Sequence, residues 1–270
     1  MAPSSTEAQL SARTDVSLEG RYVWHGISRA AGLVGQPSLA LGLRVDRVSL
    51  EGGAVLHYEL DRATAGELSE TGAGARHLGE ADLWGRAIFV LGPTRLHAGI
   101  VRYVFRGDSA QGGLGRARNT TEVFASLSTT SRYLNPTLEA WWDVGRVRGA
   151  YLQAALDLPV LGWPFPPYAF VFVQGEMGLN VGQGPNPARP GELANFATRG
   201  ITHVGLGLGT EVRAGRLFGI GSTTLAFGAR SQLNTDDGTK FDGPGRSRDF
   251  VVWLWTGVTI VLGGDARNVQ

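Results

Sequence analysis

Residues 15–28, DVSLEGRYVWHGIS, carry apolar or small side chains at every second position (Val16, Leu18, Gly20, Tyr22, Trp24) and polar ones between them (Ser17, Glu19, Arg21, His25). Period-two alternation marks a strand with one apolar and one polar face. Segments of this kind recur to the end of the chain and predict twelve strands, over 15–26, 36–46, 48–61, 81–92, 94–106, 119–130, 137–145, 147–157, 167–180, 199–213, 216–233 and 249–263. Most exceed the about 5 or 6 residues of a strand in a soluble domain and reach the about 9–11 that a tilted strand needs to cross a bilayer. No segment shows an apolar stripe of period 3.6. The glycines inside the segments disfavour helix by about 1 kcal/mol each.

The connections alternate in length. Those after the second, fourth and tenth segments are tight (DRV, LGPT, RAGR), and those after the sixth and eighth are short or proline-stiffened (SRYLNP, LPVLGWPFPP). The connections after the first, third, fifth, ninth and eleventh are longer and polar, with DVGRVRG after the seventh as the short exception. A meander with one tidy and one busy end has this pattern, which outer-membrane barrels build from periplasmic turns and outer loops. An even strand number returns both ends of the barrel to the tidy side.

Composition narrows the class. Of 270 residues 40 are glycine, 43% are hydrophobic and only 18% are charged, below the quarter or so of an ordinary soluble domain. Mean hydropathy is −0.04, and no run approaches the about 20 apolar residues of a membrane helix. There is no cysteine, so no disulfide and no Cys-based metal site. A formal charge of +1 with scattered basic residues gives no nucleic-acid footprint. The first residues, MAPSSTEAQLSARTD, lack an apolar signal core, so an export signal is absent or already removed. The expected organisation is a flexible segment over 1–14, a single barrel over 15–263 and a tail over 264–270.

If the apolar series faces lipid, the lumen receives Glu19, Arg21, His25, Arg44, Asp46, Glu51, His57 and Glu59 from the first three strands. It further receives Asp82, Arg86, Arg102, Arg106, Glu122, Glu139, Asp143, Gln153, Gln174, Glu176, His203, Glu211, Arg230 and Gln232. A dry core could not hold so many ionisable groups, because each unpaired buried charge costs several kcal/mol. The aromatics Tyr22, Trp24, Trp84, Tyr103, Phe105, Trp141, Trp142, Trp163, Tyr168, Phe227, Trp253 and Trp255 lie towards strand ends, where barrels carry interfacial girdles. A soluble β-sandwich or barrel, with the same charges in water and the apolar faces meeting inside, is the competing architecture.

Local motifs add little chemistry. The five histidines show no H-x-x-x-H or H-E-x-x-H spacing. GLGLGTE at 205–211 lacks the following helix of a phosphate loop and reads as close packing inside a strand. No G-x-S-x-G elbow is present, and RGD at 106–108 reads as a turn.

Two stretches, SLEGRYVWHGISRAAGLVGQPSLALGL and YLNPTLEAWWDVGRVRGAYLQAAL, resemble the TorF-like porins, Gram-negative outer-membrane proteins of unassigned function. The resemblance rests on Tyr22, Trp24, Gly26, Ser28 and Pro37, and on Asn135, Pro136, Leu138, Trp141, Trp142, Asp143, Gly149 and Tyr151, and covers about a fifth of the chain. It implies an outer-membrane barrel with channel function and no catalytic residues. The chain departs from that pattern at His25, where a basic residue is common, and at its end, GGDARNVQ, where barrels commonly finish on an aromatic.

The expectation is an all-β, antiparallel up-and-down transmembrane barrel of about twelve strands in a bacterial outer membrane, not an enzyme and without cofactor or metal. It would act as a porin-like passive channel in contact with outer-membrane lipid and small polar solutes. The alternatives are a closed structural or partner-binding outer-membrane barrel without transport, and a soluble β-sandwich or barrel binding protein; a protein partner or a homo-oligomer is compatible with either barrel reading. The mixed lumen charge does not imply strong ion selectivity: segregated to opposite walls the charges would favour small dipolar solutes, and paired they would leave the pore nearly closed.

Overall fold

The computed structural model describes residues 8–30, 32–60, 77–105, 119–160, 169–185, 194–215, 222–240 and 247–263. The chain opens with β1 (Gln9–Glu19), followed by a separate two-stranded hairpin, β2 (Tyr22–Trp24) and β3 (Ile27–Ala30). The remaining strands are β4 (Val34–Val45), β5 (Val48–Glu59), β6 (His77–Leu91), β7 (Thr94–Phe105), β8 (Thr120–Thr129), β9 (Asn135–Asp143), β10 (Ala150–Pro159), β11 (Ala169–Asn180), β12 (Gly200–Val212), β13 (Ser222–Asn234) and β14 (Phe250–Gly263). Twelve of them, all but the hairpin, form one closed antiparallel barrel in which each pairs with its sequence neighbours and β1 pairs with both β4 and β14. A single helical turn, α1 (Asp237–Lys240), follows β13.

Eleven of the expected segments lie within a few residues of these strands, and the first does not. β1 starts at Gln9, so residues 9–14 are barrel wall rather than a flexible lead, and it ends at Glu19. Its early half escapes the alternation pattern because Ala12 and Thr14 share the outer face with Leu10, Val16 and Leu18, and Thr14 hides its hydroxyl on the Ser38 carbonyl at 3.0 Å. Tyr22 and Trp24, expected on the lipid face, leave the wall altogether.

The tight turns at 46–47 and 92–93 use positive φ at Asp46 (54°) and Gly92 (64°) and lie at the end where the barrel strands begin and finish, Gln9 and Gly263. The longer connections share the opposite, loop end.

One-residue alternation then assigns every side chain to a face. Leu39, Leu41, Leu206 and Leu254 point outward, 55, 62, 62 and 70% exposed, and similar residues from every wall strand complete an apolar belt. A belt of this extent is stable against hydrocarbon rather than water. With one sheet closed on itself there is no second sheet for that belt to pack against, so the soluble sandwich is excluded and the protein is a membrane barrel of the outer-membrane type.

The aromatic girdle is a correction. Trp84, Tyr103, Phe105, Trp141, Trp253 and Trp255 lie on the inner face, with Trp142 and Phe227 on the outer one. Trp163 and Tyr168 lie outside the described residues. Four inner aromatics sit directly opposite glycines across the sheet: Trp84 on Gly53, Phe124 on Gly99, Phe172 on Gly209 and Trp255 on Gly228. A Cβ at Gly53 would lie 2.8 Å from the Trp84 ring, and one at Gly209 2.5 Å from Phe172. The glycines therefore let the rings lie flat on the wall instead of standing across the lumen, and GLGLGTE is close-packed wall as its composition implies.

Candidate functional site: a polar lumen bridged by a hairpin

Glu19 ends β1 at the loop end, and Gly20 and Arg21 turn the chain inward. Tyr22–Trp24 then pairs with Ile27–Ala30 across a two-residue His25-Gly26 turn. Both turn residues have positive φ, 48° and 80°, the requirement of a type I′ hairpin. Arg21 donates from Nη1 to Ser28 Oγ at 2.8 Å, joining the hairpin's two arms.

The hairpin crosses the lumen from the β1–β4 wall to the far side formed by β8, β9 and β10. Its root stacks Tyr22 on His57 of β5 (ring centroids 4.1 Å). Its middle packs Trp24 edge-on to Tyr103 at 5.5 Å, with the Arg29 guanidinium over Trp24 at 4.6 Å and over Phe105 at 5.0 Å. Its tip sets His25 against Tyr151 and Trp141, 4.4 and 5.2 Å between rings. His25 Nε2 donates to Glu122 at 3.0 Å, and Gln232 Nε2 donates to the Gly26 carbonyl at 2.6 Å. A Cβ on Gly26 would lie 2.1 Å from His203 Nδ1, so only glycine fits there. Tyr22, Trp24, Ile27, Val101, Tyr103, Phe105, Tyr151 and Phe196 form the buried core of the molecule, inside the barrel at its loop end.

Glu122 is the polar centre of this half. It is fully buried, and its oxygens accept from His25, from Tyr103 Oη and from Gln183 Nε2, each at 3.0 Å. Gln183 belongs to the β11–β12 connection, whose described residues 181–185 and 194–199 fold over the hairpin. Asn195 donates to Gln183 at 2.8 Å, Phe196 stacks on Tyr151, and Asp236 binds the backbone of Ala197 and Thr198 at 2.9 and 2.8 Å.

The turn-end half of the lumen is different. Arg86 donates twice to Glu51 Oε2, at 3.0 and 2.6 Å, with both side chains about a quarter exposed. Glu139, Gln153, Gln174, Glu176 and Arg230 also line this half and remain partly exposed. Gln153 bonds to Glu176 at 3.4 Å, and Arg230 lies over Trp255 at 5.3 Å. Wall residues of both signs thus surround a chamber that the hairpin caps.

The residues expected to line the lumen separate into groups. Glu19, Arg44, Glu51, His57, Glu59, Arg86, Glu139, Gln174, Glu176, His203, Glu211 and Arg230 belong to the inward series of their strands. Arg44 and Glu211 stand at the turn-end mouth. Arg21 and His25 are inside the barrel but on the hairpin, not on the wall. Asp143 faces inward but serves the β9–β10 connection: it is fully buried and accepts from the amides of Gly145, Arg146 and Val147 and from Thr120 Oγ1. That cap lets the one short loop-end connection close.

Arg102 is a correction. It is exposed, pairs across the sheet with outward Leu83 and bonds to Thr121. In IVRYVF both series look apolar, and the hairpin claims Val101, Tyr103 and Phe105 for the inside, which turns Arg102 out near the strand end where a long cation can reach the interface. Arg106 lies outside the described residues. Sequence reasoning missed Gln183, Asn195, Phe196 and Asp236. The His25-Gly26 pair between YVW and ISRA was the available signal for the hairpin.

No protein-family model matches the chain, and no curated relative is found. Among solved structures the barrel is similar to an outer membrane channel from Pseudomonas putida F1, with a TM-score of 0.50 and 12% identity over 97% of both chains. It is also similar to the KdgM porin (TM-score 0.46, 7% identity, 92% of this chain and 97% of that one) and to LpxR from Salmonella typhimurium (0.47, 9%, 93% and 99%). At these identities the likeness is one of fold alone, a closed antiparallel β-barrel.

Proposed function

We propose that the protein is a passive, non-enzymatic outer-membrane channel for small polar solutes, closed at its outer mouth by the hairpin of residues 20–30 and open to the periplasm as a polar chamber. The observation that carries this reading is the asymmetry of the lumen. A barrel with a purely structural role has no need of a wet, mixed-charge chamber, whereas a gated channel needs both the chamber and a closure made of one local segment. The turn-end mouth is assigned to the periplasm because short turns and strand termini face that side in barrels of this type.

Kinship with the TorF-like porins is part of the proposal. Its support is that the two stretches carrying the resemblance meet in space, His25 of the first lying against Trp141 and Tyr151 of the second. Arginines and carboxylates share the chamber, so dipolar solutes are favoured over ions of one sign.

The test is conductance in planar bilayers of protein shown to be folded by heat-modifiable migration. Wild type should give small, infrequent openings, and a variant with 21–30 replaced by a short Gly-Ser turn should give a large, steady current. A folded hairpin-free barrel that carries no current would overturn the channel and leave the closed, partner-binding barrel as the reading.

A further inference from the structure

We infer that His57, Glu80 and Asp82 form a binding site for a divalent transition-metal ion of the Zn²⁺ or Co²⁺ kind, set in the barrel wall at the root of the hairpin. All three are buried inner-face residues of the adjacent strands β5 and β6, and one ligand atom from each lies within 4.8 Å of the others. Two ligands bound at about 2.1 Å to one ion stand about 3–4.2 Å apart, so small side-chain rotations close the set.

Three further observations point to a cation. Glu80 is only 3% exposed, and among the described residues its Oε1 and the Oδ1 of Asp82 have no hydrogen-bond partner. Buried carboxylates this close repel unless a proton or a cation lies between them. His57 is already oriented as a ligating histidine would be: Nε2 points at Asp82 Oδ2 (2.9 Å), while Nδ1 is held by the Gln36 side-chain amide (3.1 Å). With the Gln36 amide turned over so that its oxygen accepts from Nδ1–H, that outer partner fixes the ring and leaves Nε2 for the metal. Beside the cluster, Tyr22, Arg29, His57, Glu59, Gly79 and Glu80 line a small cavity of about 10 Å³, room for a water as a further ligand. One imidazole with two carboxylates suits a borderline ion better than Ca²⁺, which takes six or more oxygens. Glu59 adds negative charge nearby, and Arg29 is the cation of the hairpin that the ion would have to share the pocket with.

Because Tyr22 stacks on His57, an ion that fixes the imidazole also fixes the hairpin root. The site itself stands independently of the transport reading. Its test is titration of Co²⁺ into folded, chelator-stripped protein in detergent. Wild type should develop d–d absorption bands that saturate at about one ion per chain and lose those bands to Zn²⁺. Glu80→Gln should abolish saturable binding, and Gln36→Leu, which leaves all three ligands in place, should weaken it about 10–100-fold. Folded wild type without bands would overturn the site, as would unchanged affinity in either variant. A barrel that binds Co²⁺ but carries no current would refute only the channel, and one that conducts but binds nothing would refute only the site.

Discussion

The two halves of the lumen are lined by the same strands in the same alternation, yet they treat a carboxylate in opposite ways. At the loop end Glu122 is fully buried and is met by three donors from three different parts of the chain. At the turn end Glu51 is met by one arginine and keeps about a quarter of its side chain exposed. Burial imposes the difference, because a charge removed from water must recover its solvation from protein groups, while one that keeps its water need not. The hairpin converts one half of a wet barrel into a packed, hydrogen-bonded core.

The sharpest way to break this comparison is to remove the buried carboxylate. Glu122→Ala strands the donors of His25, Tyr103 and Gln183 and should cost about 3–5 kcal/mol, measured by denaturant unfolding in lipid vesicles. A cost below 1 kcal/mol would mean that the loop-end half is as wet as the other. On the outer face Leu206→Arg puts a charge into the belt and should cost about 2–4 kcal/mol if it lies near the bilayer midplane. Its control is Gln174→Ala on the inner wall of the same barrel, expected to change stability by less than about 0.5 kcal/mol. Equal effects of the two would refute the assignment of faces.

At the turn end Glu51→Gln should cost less than about 1 kcal/mol, because a partly exposed pair loses little when broken. In the hairpin-free barrel, wild-type chamber walls should give weak ion selectivity in reversal potentials under a salt gradient, and Glu51→Gln should move it slightly towards anions. A strongly selective current before that substitution would show that charge of one sign dominates the chamber and that the inward-facing assignment is wrong in several strands.

The barrel itself was legible in the sequence because each wall strand had to be apolar on one side, and lipid enforces that rule along nearly every strand. Leu206 and Leu208 fall where their alternation puts them. The inner face obeys no such rule: it is polar where partly exposed and aromatic where the hairpin packs, so in sequence Val101, Tyr103 and Phe105 look like lipid-facing residues and Arg102 like a lumen residue. The hairpin was hidden for the same reason. Its own strands alternate like a wall strand, and only the two positive-φ residues His25 and Gly26 separate it from one. Contacts such as Gln183 with Glu122, 61 residues apart in the chain, leave no local trace at all.

The central claim is that the hairpin fills the outer half of the lumen and leaves the inner half wet. Because the chain has no cysteine, single cysteines report this directly through their rates of reaction with a small water-soluble maleimide in folded, detergent-purified protein. Ile27→Cys, at a hairpin position with no exposure, should react orders of magnitude more slowly than Gln174→Cys in the chamber, since its reaction waits on opening of the packed core. Comparable rates at the two positions, in protein that still shows heat-modifiable migration, would contradict the account.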